Sequence, residues 1–292
     1  MPTRQRVTTA TRPLLRALGR RVARGPSAAE LQRAVAGRTL LITGASRGIG
    51  AEVAVACGRA GAHVLLVARD RSRLEQVAAE IRRSGGGATV HPCDLADLDA
   101  VTQLAADVLA AHGRVDVLVN NAAHSIRRTV SATDPATHDA ERLATLNYLA
   151  PVRLMVALAP GMAAHGDGHI VQISTLATLA HPPRFPAYLA SKAALEEYGR
   201  VLAAELHHRG VQVSVVHLPL VRTDMIAPTA AYRGVPTFSP EQGAAFVLRA
   251  LARRPVAVAL GVRTPLHVLD GIAPRVLRRA VARLAPQDLP PS

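Results

Sequence analysis

Six short runs recur along this chain, each rich in Val, Ile and Leu and apolar on both faces. They are TLLITG (39–44), HVLLVA (63–68), ATVHPCD (88–94), VDVLVNN (115–121), HIVQIS (169–174) and VQVSVVHLP (211–219). A strand with one wet face alternates apolar and polar residues, whereas a strand covered on both faces does not. Between the runs lie helical or Ala-rich segments at 48–60, 71–83, 98–111, 139–164 and 186–208. Strand and helix in strict alternation predict the α/β class, a single doubly wound parallel sheet with helices on both faces and right-handed crossovers. VAVAL (256–260) supplies a further strand. The expected organisation is a basic extension at 1–36, a catalytic domain at 37–262 with a substrate lid at about 224–240, and a basic amphipathic tail at 263–292.

Hydrophobic content of 49% is ample for a core, but aromatics make up only 2%, so Ala, Val and Leu must fill it. The net charge of +14 is concentrated at the ends. Seven arginines fall between Arg4 and Arg24, no acid precedes Glu30, and Arg275, Arg278, Arg279 and Arg283 cluster near the C-terminus. In the first group Leu14, Leu15, Leu18 and Val22 keep helical spacing; in the second Val276, Leu277, Ala280, Val281 and Leu284 form an apolar stripe. Basic amphipathic elements of this kind suit peripheral contact with an anionic membrane, or packing on the core with the arginines in water. No recognition motif or aromatic stacking platform accompanies the charge, which argues against nucleic acid. Cys57 and Cys93 read as reduced core thiols of a cytoplasmic protein, with any membrane contact at the inner face. No apolar run reaches the ~20 residues of a membrane span, and the histidines offer no metal set.

TGASRGIG (43–50) follows the first strand and opens the first long helix. In that context Gly44 serves the tight turn, Gly48 lets backbone approach a pyrophosphate, and Gly50 lets helix and sheet pack closely. The helix N-terminus then offers unpaired N–H groups to the phosphates. These glycines make the fold Rossmann-type and the ligand a dinucleotide. At the end of the second strand an acid suits a ribose 2′-hydroxyl, and arginine suits a 2′-phosphate. Arg69 stands there, Arg47 lies in the loop, and Asp70 points elsewhere, so NADP(H) is the expected cofactor.

The ordered motifs from about residue 38 to 225 resemble the short-chain dehydrogenase/reductase family. Besides the glycine loop, Asp94 in CDLAD resembles the family's adenine-contacting acid, and Asn120 in NNAA the asparagine that steadies the central strand. Asn147 in TLNYLAP matches the catalytic asparagine, and Tyr188-x3-Lys192 the active-site pair. PLVRT (219–223) resembles the stretch that holds the nicotinamide amide. The resemblance implies cofactor contacts from Gly44, Ser46, Arg47, Gly48, Ile49, Gly50, Arg69, Asp94, Leu95, Asn121, Tyr188, Lys192, Val221 and Thr223. Ala123 and Leu220 replace the family's usual glycines near the nicotinamide. The family's catalytic serine more often lies thirteen residues before the tyrosine, a register that falls here on Thr175, with Ser174 the alternative. A homodimer or homotetramer through the segments 139–164 and 186–208 is a further implication.

The chemistry asks for these groups. Tyr188 would give a proton to a carbonyl oxygen, and its free phenol, with a pKa of about 10, needs a nearby positive charge. Lys192, four residues on, shares its helix face. It is the one lysine in a chain that otherwise writes every positive side chain as arginine. A compact ammonium with three rotatable donors does what a planar fork cannot. The Thr175 or Ser174 hydroxyl would meet the developing charge on the substrate oxygen, and Asn147 would, by resemblance, hold a water that links Lys192 to solvent.

SIRRTV (125–130), HPPRFPAYLASKAAL (181–195), LPLVRTDMIAPTAAY (218–232) and PTFSPEQGA (236–244) carry a finer resemblance, to the reductase domain of actinobacterial fatty acyl-CoA reductases. It implies a small-molecule, lipid-like carbonyl substrate, a fatty aldehyde or fatty acyl thioester. Asp224 departs from it by placing an acid beside the nicotinamide pocket. The lid's Met225, Ile226, Ala227, Pro228, Val235 and Phe238 suit an alkyl chain or a packed loop. Rival readings are a 3-oxoacyl, steroid or xenobiotic carbonyl reductase and, in another class, a non-catalytic NADP-binding sensor or scaffold.

Overall fold

The computed structural model describes residues 25–284 apart from 134, 228–231, 233–234 and 262. The first half of the chain runs α1 (Ala28–Val35), β1 (Thr39–Thr43), α2 (Gly48–Arg59), β2 (His63–Ala68), α3 (Arg71–Arg83), β3 (Gly87–Pro92), α4 (Leu98–His112) and β4 (Val117–Asn120). Then come α5 (Asp139–Ala144), α6 (Ala150–His165), β5 (Gly168–Thr175), α7 (Ala177–Ala180), α8 (Pro186–Leu206) and β6 (Val211–Leu218). The last elements are α9 (Pro240–Arg253), β7 (Ala257–Ala259), α10 (Arg263–Ile272) and α11 (Pro274–Leu284).

The strands form one seven-stranded sheet in the order β3-β2-β1-β4-β5-β6-β7, every neighbouring pair parallel. Successive residues of a strand face opposite sides, and here both sides are dry. Leu40 and Ile42 of β1 join a cluster with Val53 of α2, Leu74 of α3 and Phe246 of α9. Leu41 between them joins a second cluster with Val108 of α4, Leu154 of α6 and Leu195 of α8. Each such fully buried aliphatic side chain stabilises the fold by about 1.5–3 kcal/mol. The expected doubly wound Rossmann-type sandwich is what forms.

The segment expected as one helix over 139–164 forms a single helix, Asp139–His165, with a π turn inside it. The turn, Thr145–Leu149, lies between α5 and α6, and the Ala150 N–H donates to Thr145 O, five residues back. Pro151 follows at once and has no N–H to continue the ordinary ladder. By length and composition Asp139–His165 is apolar enough to cross a bilayer, unlike the sequence expectation. In the fold α6 packs against α4 and β5, as a core helix does.

Part of the expected N-terminal extension belongs to the core. α1 starts with a Ser27–Glu30 capping box and buries Leu31 and Val35, and it packs against α9, where Arg253 reaches Glu30 at 3.2 Å. The leucine stripe at Leu14, Leu15 and Leu18 lies outside the described residues. At the other end α10 and α11 pack on α7 with Leu277 buried, while Ile272, Val276, Arg275 and Arg279 face outward. The side chains of Arg278, Arg283 and Leu284 lie outside the description. Cys57 and Cys93 are buried free thiols, and burial pushes the Cys57 thiol up to about 12.

Candidate active site

The sheet order reverses between β1 and β4, and a crevice opens at the carboxyl ends of strands at such a switch point. The glycine loop leaves β1 there. Gly44 has φ +66°, and a Cβ on Gly50 would meet Gly44 O at 2.3 Å, so neither position tolerates a side chain. Asn121 fastens this turn to β4: its Nδ2 donates to Thr43 O at 2.9 Å, and its N–H donates to Thr43 Oγ1 at 3.0 Å. The resemblance gave the steadying role to Asn120. Asn120 is buried, with no partner for either side-chain polar atom among the described residues, and Asn121 makes the ties.

The residues fit a dinucleotide. α2 begins without a side-chain cap, and the N–H groups of Ser46, Arg47, Gly48 and Ile49 have no backbone partner among the described residues. Thr223 is the one neighbour a Cβ on Gly48 would meet, at 3.4 Å. A helix N-terminus with free backbone N–H groups and Thr223 close by suits a pyrophosphate. Asp70 is turned away, as expected: it caps α3 by accepting from Arg73 N at 3.1 Å and Ser72 Oγ at 2.7 Å. Arg47 and Arg69 are both exposed at the crevice rim. Asp94, also exposed, accepts from Ala96 N at 3.0 Å, and Leu95 beside it is buried.

Asp224, next to Thr223, reaches the glycine loop. Its carboxylate pairs with Arg47 at 2.7 Å and stands 3.9 Å from Arg73, at the phosphate end of the crevice. The turn carrying it is closed by Ile226 N donating to Thr223 O at 3.1 Å. Its base is fixed by a bridge between Val221 and Phe238, with Arg222 N donating to Phe238 O at 2.8 Å. Of the lid, Pro228 and its successors to 231 lie outside the description; Phe238 packs edge-on against Phe246.

At the other end of the crevice α8 carries Tyr188 and Lys192 one turn apart. Lys192 is buried, its Nζ donates to Ile173 O at 2.9 Å, and burial lowers its pKa to about 8 against a smaller opposing pull from Glu196. Burial, and to a lesser degree the neighbouring Tyr232, raises the Tyr188 pKa. Asn147 sits in the π turn, a feature frequent at functional sites. Its Oδ1 accepts from His124 N at 2.9 Å, and its Nδ2 donates to His124 O at 2.9 Å and Ser191 Oγ at 3.0 Å. That clasp ties the loop after β4 to the residue preceding Lys192.

The two candidate hydroxyls are unlike. Ser174 is buried and donates to Glu196 Oε1, which commits it to the interior. Thr175 is half-buried, and its Oγ1 accepts from Ala177 N at 3.2 Å, which leaves its own proton for another acceptor. Glu196 went unremarked in the sequence, although its place four residues after Lys192 put it on the same helix face. It also accepts from Thr178 Oγ1 at 2.9 Å, and His217 Nδ1 lies 3.6 Å away. Beside Tyr188, Val130, Pro182, Pro183, Phe185, Pro186 and Leu189 line an open apolar groove of about 510 Å³.

A family model for short chain dehydrogenases matches residues 38–233. The chain is 45% identical over 242 residues to a fatty acyl-CoA reductase of Acinetobacter baylyi, covering 83% of this chain and 82% of that protein. It is 42% identical over 248 residues to a fatty acyl-CoA reductase of Mycobacterium tuberculosis, covering 85% and 84%. Among solved structures, a metagenomic short-chain oxidoreductase in complex with NADP is 38% identical with a TM-score of 0.63, covering 75% of this chain and 92% of that one. A 3-oxoacyl (acyl-carrier-protein) reductase from Agrobacterium tumefaciens with NADP bound is 30% identical with a TM-score of 0.70, covering 76% and 92%.

Proposed function

The chain belongs to the short-chain dehydrogenase family, and on that premise we propose that it reduces the carbonyl of a fatty aldehyde or fatty acyl thioester with NADPH. The observation that carries the lipid reading is the apolar groove lined by Phe185, Pro186 and Leu189 on the turn of α8 that bears Tyr188, with the Phe185 ring 6.3 Å from the Tyr188 ring. An alkyl chain lying there would bring its carbonyl toward the phenol. The likeness to the two fatty acyl-CoA reductases supports it. The relatives with NADP bound, together with Arg47 and Arg69 at the rim and Asp70 turned away, support NADPH over NADH.

NADPH, when bound, would supply the hydride. Arg47 and Arg69 would pair with the 2′-phosphate, while the uncapped start of α2 would hold the pyrophosphate and Val221 and Thr223 the amide. Tyr188 gives its proton to the carbonyl oxygen, and the Thr175 hydroxyl donates a hydrogen bond to the same atom as charge develops. Lys192 stabilises the phenolate that forms, and the clasp at Asn147 keeps Lys192 in register with the loop after β4. Exposed Leu149, Val156 and Val201 on the helical faces of 145–165 and α8 support a homo-oligomer. Exposed Ile272 and Val276 beside Arg275 and Arg279 support peripheral contact with an anionic membrane.

NADPH oxidation against fatty aldehydes and fatty acyl-CoAs of rising chain length, 3-oxoacyl thioesters and ketosteroids tests the proposal. It expects kcat/KM to rise with chain length. A ketosteroid preference, or no gain from a longer chain, would overturn it.

A further inference from the structure

Ser174, Thr178, Glu196 and His217 come from β5, α7, α8 and β6, and they meet in one buried place beneath Lys192. Glu196 and His217 are only 3% and 2% exposed, too deep for a chance surface contact. The Glu196 carboxylate is the common acceptor, taking hydroxyl protons from Ser174 and from Thr178 on Oε1 and the Arg200 guanidinium at 3.2 Å on Oε2. A buried carboxylate is costly unless it is paired and hydrogen-bonded, and this one is held on both oxygens. Lys192 stands one turn before it on the same helix, and the lysine Nζ meets a neutral carbonyl at Ile173. Among the described residues the ammonium has no direct ion pair, and the Glu196 carboxylate lies one turn below it.

We propose that Glu196 is a positioning residue that keeps the Lys192 side chain protonated at neutral pH while drawing the Ser174 hydroxyl inward. The inference rests on Lys192 acting as the ammonium of the proposed reaction, but its central measurement does not. The charged and titratable groups that face Glu196 are Lys192 and Arg200 from its own helix and His217 from β6. Tyr188 is the further titratable group on the face of α8 that carries Lys192. Burial takes the lysine down to about 8, and Glu196 opposes that fall. An opposite charge favours the charged form of its neighbour, so removing the carboxylate lets the lysine lose its proton at lower pH. By holding Ser174, the same carboxylate leaves Thr175 as the hydroxyl that turns toward substrate.

This chain permits an unusually direct test, because Lys192 is its one lysine. Protein labelled at lysine 13Cε gives one lysine side-chain signal, whose shift against pH reports that ammonium with no substrate, cofactor or turnover involved. The wild-type midpoint is expected near 8. Glu196→Gln keeps the shape and the acceptor for Ser174 and Thr178 but removes the charge. It should lower the midpoint by about one unit or more, the scale of a nearby opposite charge. Glu196→Asp keeps the charge and draws it back, so its midpoint should fall between the two; if the glutamine variant does not fold, this smaller drop carries the test. The alkaline limb of kcat/KM in Glu196→Gln should move down with the lysine midpoint. A midpoint unchanged in both variants overturns the inference. A shifted midpoint in a protein that reduces no fatty carbonyl overturns the proposed reaction and leaves the role of Glu196 standing.

Discussion

The two ends of the crevice are built from different materials. The phosphate end is made of backbone: Gly44 at positive φ, Gly50 pressed against Gly44 O, and the uncapped N–H groups at the start of α2. Its side chains, Arg47, Arg69 and Asp224, are exposed. The chemical end is made of buried side chains on α8, where Lys192 and Glu196 are 2% and 3% exposed. Backbone binds a ligand common to many proteins with few residue types, so such a site depends on shape. Buried ionisable groups have their proton affinities set by their surroundings, so the second site depends on which groups lie nearby.

That contrast can be broken or sharpened by substitution. At the chemical end Tyr188→Phe deletes the proton donor with little change in packing. Turnover should fall about 10³-fold while NADPH binding persists, as steady-state kinetics and fluorescence titration would show. At the phosphate end Gly50→Val forces a side chain onto Gly44 O and Asn121 Nδ2, at 2.3 and 2.6 Å from its Cβ. Overpacking of this kind costs about 1–3 kcal/mol, read as a lower denaturation midpoint together with weakened dinucleotide binding. Arg47→Ala removes one charge-assisted contact, worth about 1.5–3 kcal/mol. It should raise the NADPH KM about tenfold and bring the NADPH-to-NADH preference down with it. The smallest effect is expected from Asp224→Asn. Its pair with Arg47 is 2.7 Å long, but the two side chains are 56% and 62% exposed, so thermal stability should change by less than about 1 kcal/mol.

The same contrast explains what could be read from the sequence. Two-sided apolar runs predicted the parallel sheet, because a strand buried on both faces has no other composition. The glycine spacing predicted the loop, because Gly44 and Gly50 serve geometries that side chains forbid. Tyr188 and Lys192 were legible because one helical turn fixes their relation. The Glu196 cluster was not, since Ser174, Glu196 and His217 meet only after the parallel crossover from β5 through α8 to β6 lays the helix over both strands. The π turn inside the helix over 139–164 was marked by Pro151, yet proline at the first turn of a helix is tolerated, so the mark was ambiguous. Asp224 was visible as a departure, but its partner Arg47 lies 177 residues away, and the sequence gives no direction for that turn.

Lys192→Arg tests the central claim most directly, that the chemical end depends on one buried ammonium and not merely on positive charge. The variant should keep its secondary structure by circular dichroism and bind NADPH more weakly. It should lose at least about 10²-fold in kcat on a long-chain fatty aldehyde, because a guanidinium is larger, planar and bound to its proton. Near-normal turnover in a folded Lys192→Arg protein would contradict the account.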